Sequence, residues 1–215
     1  RFFKNHVVIC GLGRKGSILA ERFRATGQKV VVLEQNAENE LLQQVREQGA
    51  VVMIGNATQS ELLRKARIAT ASQVISVCGD DGANAEIAVR TAELVRGRKR
   101  GMLRCFVHII HPQLCGLLRQ RETVLGLENH FRVQFFNVYE SGARALLRRH
   151  PPFDETENRE IPTPHVLVVG VGSMGQHVVT QLARSWWPRY KATGKQLRLT
   201  LVDIRDPQHK VEGLR

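Results

Sequence analysis

Cysteine is scarce in this chain of 215 residues: Cys10, Cys78, Cys105 and Cys115 are scattered, and no two form a C-x-x-C pair. That excludes a disulfide framework and the usual zinc-ligand spacings, and the four read as buried thiols of a cytosolic protein. No apolar run approaches the roughly 18 residues that a membrane span requires, so no segment reads as a transmembrane helix. Tyr-x-x-x-Lys is missing as well, because Tyr139 is followed by Ala143 and Tyr190 by Gly194. Signal-peptide patterning is lacking too, and a start at Arg1 gives the expectation of a fragment of something longer. Acidic residues are outnumbered, 20 against 32 Lys and Arg, for a formal net charge of +12. Such a charge raises nucleic acid as a partner, yet the densest run, Arg96, Arg98, Lys99 and Arg100, has no interleaved aromatics and reads as a solvated loop. No nucleic-acid partner is expected.

What the chain does have is glycine in two patterned turns, CGLGRKG at Cys10 to Gly16 and VGVGSMG at Val169 to Gly175, each after an apolar strand-like run. Gly11, Gly13 and Gly16 stand at the G-x-G-x-x-G spacing that ends a strand, admits a pyrophosphate and opens a helix. The new helix then offers unpaired N–H groups and a partial positive charge to phosphate. Ile18, Leu19 and Phe23 lie at helical spacing up to Gly27, and Lys29 to Leu33 forms a second apolar strand ending in Glu34, with Gln35 beside it. This is a complete β-α-β unit with an acid about 20 residues past the glycines, as a dinucleotide site requires.

Glu34 sets the expected ligand. A carboxylate there accepts ribose hydroxyls and opposes a 2′-phosphate by about 1 to 4 kcal/mol, depending on the effective dielectric. NAD or NADH is therefore expected over NADP, with ATP or ADP as the alternative. Arg14 and Lys15 either add positive charge at the pyrophosphate or form the solvated first turn of the helix.

Alternation continues along the chain. Helices are expected at 37–48, up to about 66 after the capping turn Gly55 to Thr58, and at 83–95, 112–119 and 138–148. Strands are expected at 51–54, 73–77, 102–109 and 130–136. The fold class is α/β, a Rossmann-like doubly wound parallel sheet of about six strands, with ligands outside the carboxyl ends of its strands. Prolines 151, 152, 162 and 164 bracket an acidic stretch, Asp154 to Glu160, with the composition of a linker. A truncated second β-α-β unit follows: a strand at 165–169, the second glycine turn, a helix to about Trp187 that Ser173 can cap, and a strand at 197–202 ending in Asp203. Gly170, Gly172, Gly175 and Asp203 are its candidate ligand residues, in a unit too small for an independent core. The expected domains are 1–149, a linker at 150–164, and 165–215.

The order CGLGRKG, VVVLE, GNAT before ELLRKARI, and CGDDGAN resembles the nucleotide-binding domain of the RCK or TrkA-N family over about Asn5 to Arg149. The resemblance implies a cytoplasmic regulatory domain of potassium channels or transporters. It implies that Gly55, Asn56, Ala57 and Thr58 line the adenine side, Asn56 standing where the family commonly has Asp. It also implies that Cys78, Gly79 and Asp80 approach the phosphates or second ribose, and that Asn84 matches an asparagine typical of the next helix. Family members assemble into dimers and rings, so a homo-oligomer is expected. A helix after the sixth strand usually crosses to a neighbour; Val138, Ala145 and Leu146 would bury there or over their own sheet. The rival reading is an NAD-dependent oxidoreductase with a missing substrate domain. His108 and His111 are its candidate acid–base groups, and neither has an obvious orienting partner in the sequence.

Overall fold

The computed structural model describes residues 4–99, 101–120, 130–153 and 164–204. Contacts divide the chain into two compact units, Arg1–Asn137 and Val138–Arg215.

The first unit alternates strand and helix: β1 (Val7–Cys10), α1 (Arg14–Ala25), β2 (Val30–Glu34), α2 (Leu41–Glu47), β3 (Val51–Ile54), α3 (Ser60–Lys65), a 3-10 turn (Ile68–Thr70), β4 (Gln73–Ser76), α4 (Asp81–Val95), β5 (Leu103–His108), α5 (Pro112–Gln120) and β6 (Phe131–Phe136). All six strands pair in parallel in the order β3-β2-β1-β4-β5-β6. The order reverses between β1 and β4, which opens a crevice at the carboxyl ends of these strands.

Continuous apolar runs at the centre follow from burial on both faces. Val7, Ile9, Val30, Val32, Ile75 and Val77 point toward Leu12, Ala20, Leu42 and Val45 of the α1–α2 side. Val8, Cys10, Val31, Leu33, Val74, Cys105 and Val107 point the other way, to Leu63, Ile87, Ala88 and Cys115 of α3, α4 and α5. Each fully buried Val or Ile side chain contributes about 1.5–3 kcal/mol of transfer free energy.

Helix α2 begins four residues later than the pattern at 37–48 predicts. Asn36 and Asn39 side chains accept from the Glu38 and Leu41 N–H groups, so the chain turns there before the helix starts. The basic run is also more than a solvated loop: Arg98 donates to the carbonyls of Ala69 and Gly101 and ties the end of α4 to the 3-10 turn, while Arg100 lies outside the described residues.

The second unit comprises α6 (Val138–Arg149), β7 (His165–Val169), α7 (Ser173–Thr193) and β8 (Arg198–Val202), with β7 and β8 parallel. Helix α6, read from the sequence with the first domain, packs on α7, so the units divide after Asn137 rather than at 149. This supplies the core that two strands and one helix lack. Val168, Val179 and Leu182 gather Leu147 of α6 together with Phe153, Leu199 and Leu201. Ala143 is fully buried in α6, whereas Ala145 and Leu146 are exposed.

Helix α7 runs to Thr193 through Pro188, six residues past the expected end. Trp186 is the reason. Its ring packs on Phe153 at 4.9 Å, its indole donates to the Lys195 carbonyl, and the helix closes at Gly194 with a left-handed φ of 69°. Trp187 is exposed and stacks on Tyr190. Ser173 is the first helical residue and not the cap, a place taken by Gly172. The acidic stretch Asp154 to Glu160 lies outside the described residues.

Candidate functional site

The first glycine turn leaves β1 at Gly11, whose N–H donates to the Leu33 carbonyl of β2. Gly11 has a φ of 98°, a left-handed conformation that costs a side chain dearly, and a Cβ there would stand 2.9 Å from the Cys78 backbone. Gly16 is pressed against the Gly11 carbonyl, which a Cβ would strike, so α1 can pack on β1 only without one. Gly13 is different. It has extended backbone, is exposed, and a Cβ there would meet nothing within 4 Å among the described residues. The three glycines thus divide the work: two make the turn and one keeps its outer surface open above the α1 N-terminus.

Glu34 locks that turn. One carboxylate oxygen accepts from Leu12 N at 2.7 Å and the other from Asn36 N at 2.8 Å. A carboxylate offers about four lone-pair positions, so both oxygens retain capacity for hydroxyl donors. Asn39 completes the support by donating to the Leu12 carbonyl, a contact across 27 residues that no local pattern announces. Gln35 is exposed at the end of β2, Arg14 is exposed, and Lys15 is half-buried in the first turn of α1.

The β3 end is tied to the same carboxylate strand, with Gly55 N donating to the Glu34 carbonyl. Asn56 Oδ1 accepts from both the N–H and the hydroxyl of Thr58, at 2.9 Å each. An aspartate would accept these bonds equally well, which explains why Asn serves where the family commonly has Asp. Gln59, not Thr58, is the N-cap of α3, and Ala57 is buried beneath the turn.

The β4 loop is held by Asn84, fully buried in α4. Its Oδ1 accepts from Ser76 Oγ and Cys78 N, and its Nδ2 donates to the Cys78 carbonyl. This fixes Cys78 against Gly11. Burial, with the Glu34 charge second, pushes the Cys78 thiol up to about 11, so it stays protonated at neutral pH. Gly79 is exposed, and Asp80 caps α4 by accepting from Ala83 N. Asp81, which the sequence did not single out, accepts from Ile110 N and His111 N and so joins α4 to the end of β5. Among the described residues, no group of three His, Cys, Asp or Glu could hold a metal ion.

Gly170, Gly172, Gly175 and Asp203 repeat the first arrangement. Gly170 has a φ of 91°, its N–H donates to Val202, Gly175 presses on the Gly170 carbonyl, and Asp203 accepts from Val171 N at 3.0 Å. One element differs. Cys78 after β4 stands beside Gly11, whereas a Cβ at Gly170 would meet nothing within 4 Å among the described residues.

Residues 7–121 match the TrkA-N domain model. The chain belongs to the TrkA-N domain family. It is 33% identical over 92 residues to Potassium channel protein 1 of Methanocaldococcus jannaschii, covering 42% of this chain and 27% of that protein. It is 33% identical over 81 residues to the glutathione-regulated potassium-efflux system protein KefC of Cronobacter sakazakii, covering 38% of this chain and 13% of that protein. Structures of GsuK share the fold over 95% of this TrkA-N chain: one bound to NAD has a TM-score of 0.67 at 14% identity, and one bound to ADP has 0.61 at 18%. The chain spans under half of the GsuK chains, 47% and 45%, and about a quarter or less of the two relatives. No helix among the described residues is long and apolar enough to cross a membrane.

Proposed function

We propose that this TrkA-N chain is the cytoplasmic sensor of a potassium channel or transporter, binding NAD(H) at the first glycine turn, with ATP or ADP as the alternative ligand. One observation carries the reading: Glu34, at the end of β2, is fastened by Leu12 N to the very turn whose Gly13 face is open. A phosphate on the α1 N-terminus and a ribose on Glu34 would then be held by a single rigid unit. Asn56 and Ala57 flank the adenine, Arg14 and Lys15 supply charge near the phosphates, Gln35 borders the ribose, and Cys78, Gly79 and Asp80 form the opposite rim. The TrkA-N relatives named above are potassium channel and potassium-efflux proteins, and the GsuK structures carry NAD and ADP. Those facts support a regulatory binding module over an oxidoreductase.

In this reading the chain acts as a homo-oligomer, and ligand shifts a packing equilibrium because it binds two arrangements with different affinities. The turn at Gly170, Gly172 and Gly175, with Asp203, is a second and weaker site, lacking among the described residues the neighbouring backbone that Cys78 provides to the first.

Calorimetry with NAD+, NADH, NADP+, ATP and ADP tests the proposal. Binding of NAD+ or an adenine nucleotide in the micromolar to low millimolar range is expected, with NADP+ weaker by about 1 to 4 kcal/mol. Glu34→Ala is expected to abolish that discrimination and weaken binding. Absence of binding by all five ligands, or an unchanged affinity in the variant, refutes the sensor reading; steady turnover of NADH with a carbonyl substrate would restore the oxidoreductase.

A further inference from the structure

His108 is the last residue of β5, fully buried, and neither of its ring nitrogens has a hydrogen-bond partner among the described residues. Buried polar groups are nearly always paired, so a side chain left in this state at a crevice calls for a use. The strand register locates it. Cys10, Ser76 and Val107 lie in one row across β1, β4 and β5, and the next residues along are Gly11, Val77 and His108. Two strand spacings separate Gly11 from His108, on the order of 10 Å.

Strand alternation puts His108 on the same face as Phe106, which packs with the α1–α2 side of the core. Phe136 of β6 meets its ring edge-on at 5.3 Å. The charged groups that bear on it are Lys15, from the first turn of α1, and Asp81, from the first turn of α4. His108 thus lies at the carboxyl edge of the sheet, level with the glycine turn but on the far side of the topological switch.

A dinucleotide bound at such a switch lays one nucleoside on each side of it. With adenosine at Glu34 and Asn56 on the β2–β3 side, the second nucleoside falls at the ends of β4 and β5. A mononucleotide such as ADP has no second nucleoside to place there. We propose that His108 is a specificity-determining residue that bonds the uncharged polar groups of a second nucleoside, its ribose hydroxyls or carboxamide, so that this TrkA-N site prefers a dinucleotide to ADP. The inference rests on the nucleotide-site reading given above. Burial, and after it the Lys15 charge, hold the imidazole down at about 4. At neutral pH it is therefore uncharged, with one donor and one acceptor, which suits hydroxyl and amide groups.

Calorimetry of NAD+ and ADP on the 215-residue chain and on its His108→Phe and His108→Gln variants tests this. Phenylalanine keeps a ring against Phe136 and removes both nitrogens. The expected result is an NAD+ affinity about tenfold weaker in His108→Phe with ADP unchanged, and partial recovery in His108→Gln. Parallel changes for both ligands, an unchanged NAD+ affinity, or a wild-type chain that binds NAD+ no tighter than ADP would overturn the role of His108 while leaving the nucleotide site intact. Failure of the wild-type chain to bind either ligand would instead remove the site itself. Should His108→Phe not fold, as judged by circular dichroism, the same comparison is made with His108→Leu, which also lacks both nitrogens, where loss of preference for NAD+ supports the proposal and retention of full preference overturns it.

Discussion

Single residues separate turn-making from ligand-binding within one motif. Gly16 has no room for a methyl group because the Gly11 carbonyl occupies that space, whereas Gly13 faces open space with extended backbone. Gly16→Ala is accordingly expected to destabilise the first unit by about 1–3 kcal/mol through overpacking, visible as a lower Tm. Gly13→Val is expected to leave the Tm nearly unchanged and to weaken nucleotide binding at least tenfold by filling the space a pyrophosphate needs. Equal losses of stability in both variants would contradict this division. At this scale the sequence was legible where a contact is local or motif-bound. Gly11, Gly13, Gly16 and Glu34 could be named because their spacing reflects backbone geometry. Asn39 and Asp81 could not, and His108 was named only as an acid–base group of the rival reading, since each acts on atoms that only the closed sheet brings near: Asn39 on Leu12, Asp81 on Ile110 and His111, and His108 on Phe136.

Elements of secondary structure were legible in type and less so in allegiance. Apolar runs such as VVIC and VVVLE read as buried parallel strands because both of their faces are covered. The α6 pattern gave a helix but not its partner, because an apolar stripe states that something is buried and not against what. In the structure α6 packs on α7, with Ala143 fully buried. Ala143→Leu is expected to destabilise the second unit by about 1–3 kcal/mol, since added methylenes must displace a packed helix. The measurement is thermal unfolding followed by Trp186 and Trp187 fluorescence, both tryptophans lying in that unit. An unchanged transition would mean that the α6–α7 contact contributes little.

For the whole molecule, the candidate residues form two separate sets. Gly11–Gly16, Glu34, Asn56 and Cys78 belong to the first compact unit, and Gly170–Gly175 with Asp203 to the second. Hydrogen exchange with and without NAD+ is expected to show joint protection of backbone amides at 11–17, 34–36, 56–58 and 78–84 at one ligand concentration. Amides at 171–177 are expected to respond only at higher concentration. Protection of both sets at the same concentration would make the two turns equivalent sites, and protection of neither would argue against a nucleotide.

The sequence by itself determined the membership of the chain in the α/β class, the glycine turns, the acid after each second strand and the resemblance to TrkA-N domains. These are properties of backbone sterics and of periodic burial, which a linear pattern carries. Tertiary structure alone decided that Glu34 fastens the turn through Leu12 N, that Asn84 holds Cys78 against Gly11, and that α6 joins the second unit. It also left His108 buried at the end of β5, one strand beyond the switch point, with neither ring nitrogen paired among the described residues. Each of those depends on which residues, far apart in the chain, share a row of the sheet or a helix face. Local propensity holds no information about that choice, and packing settles it.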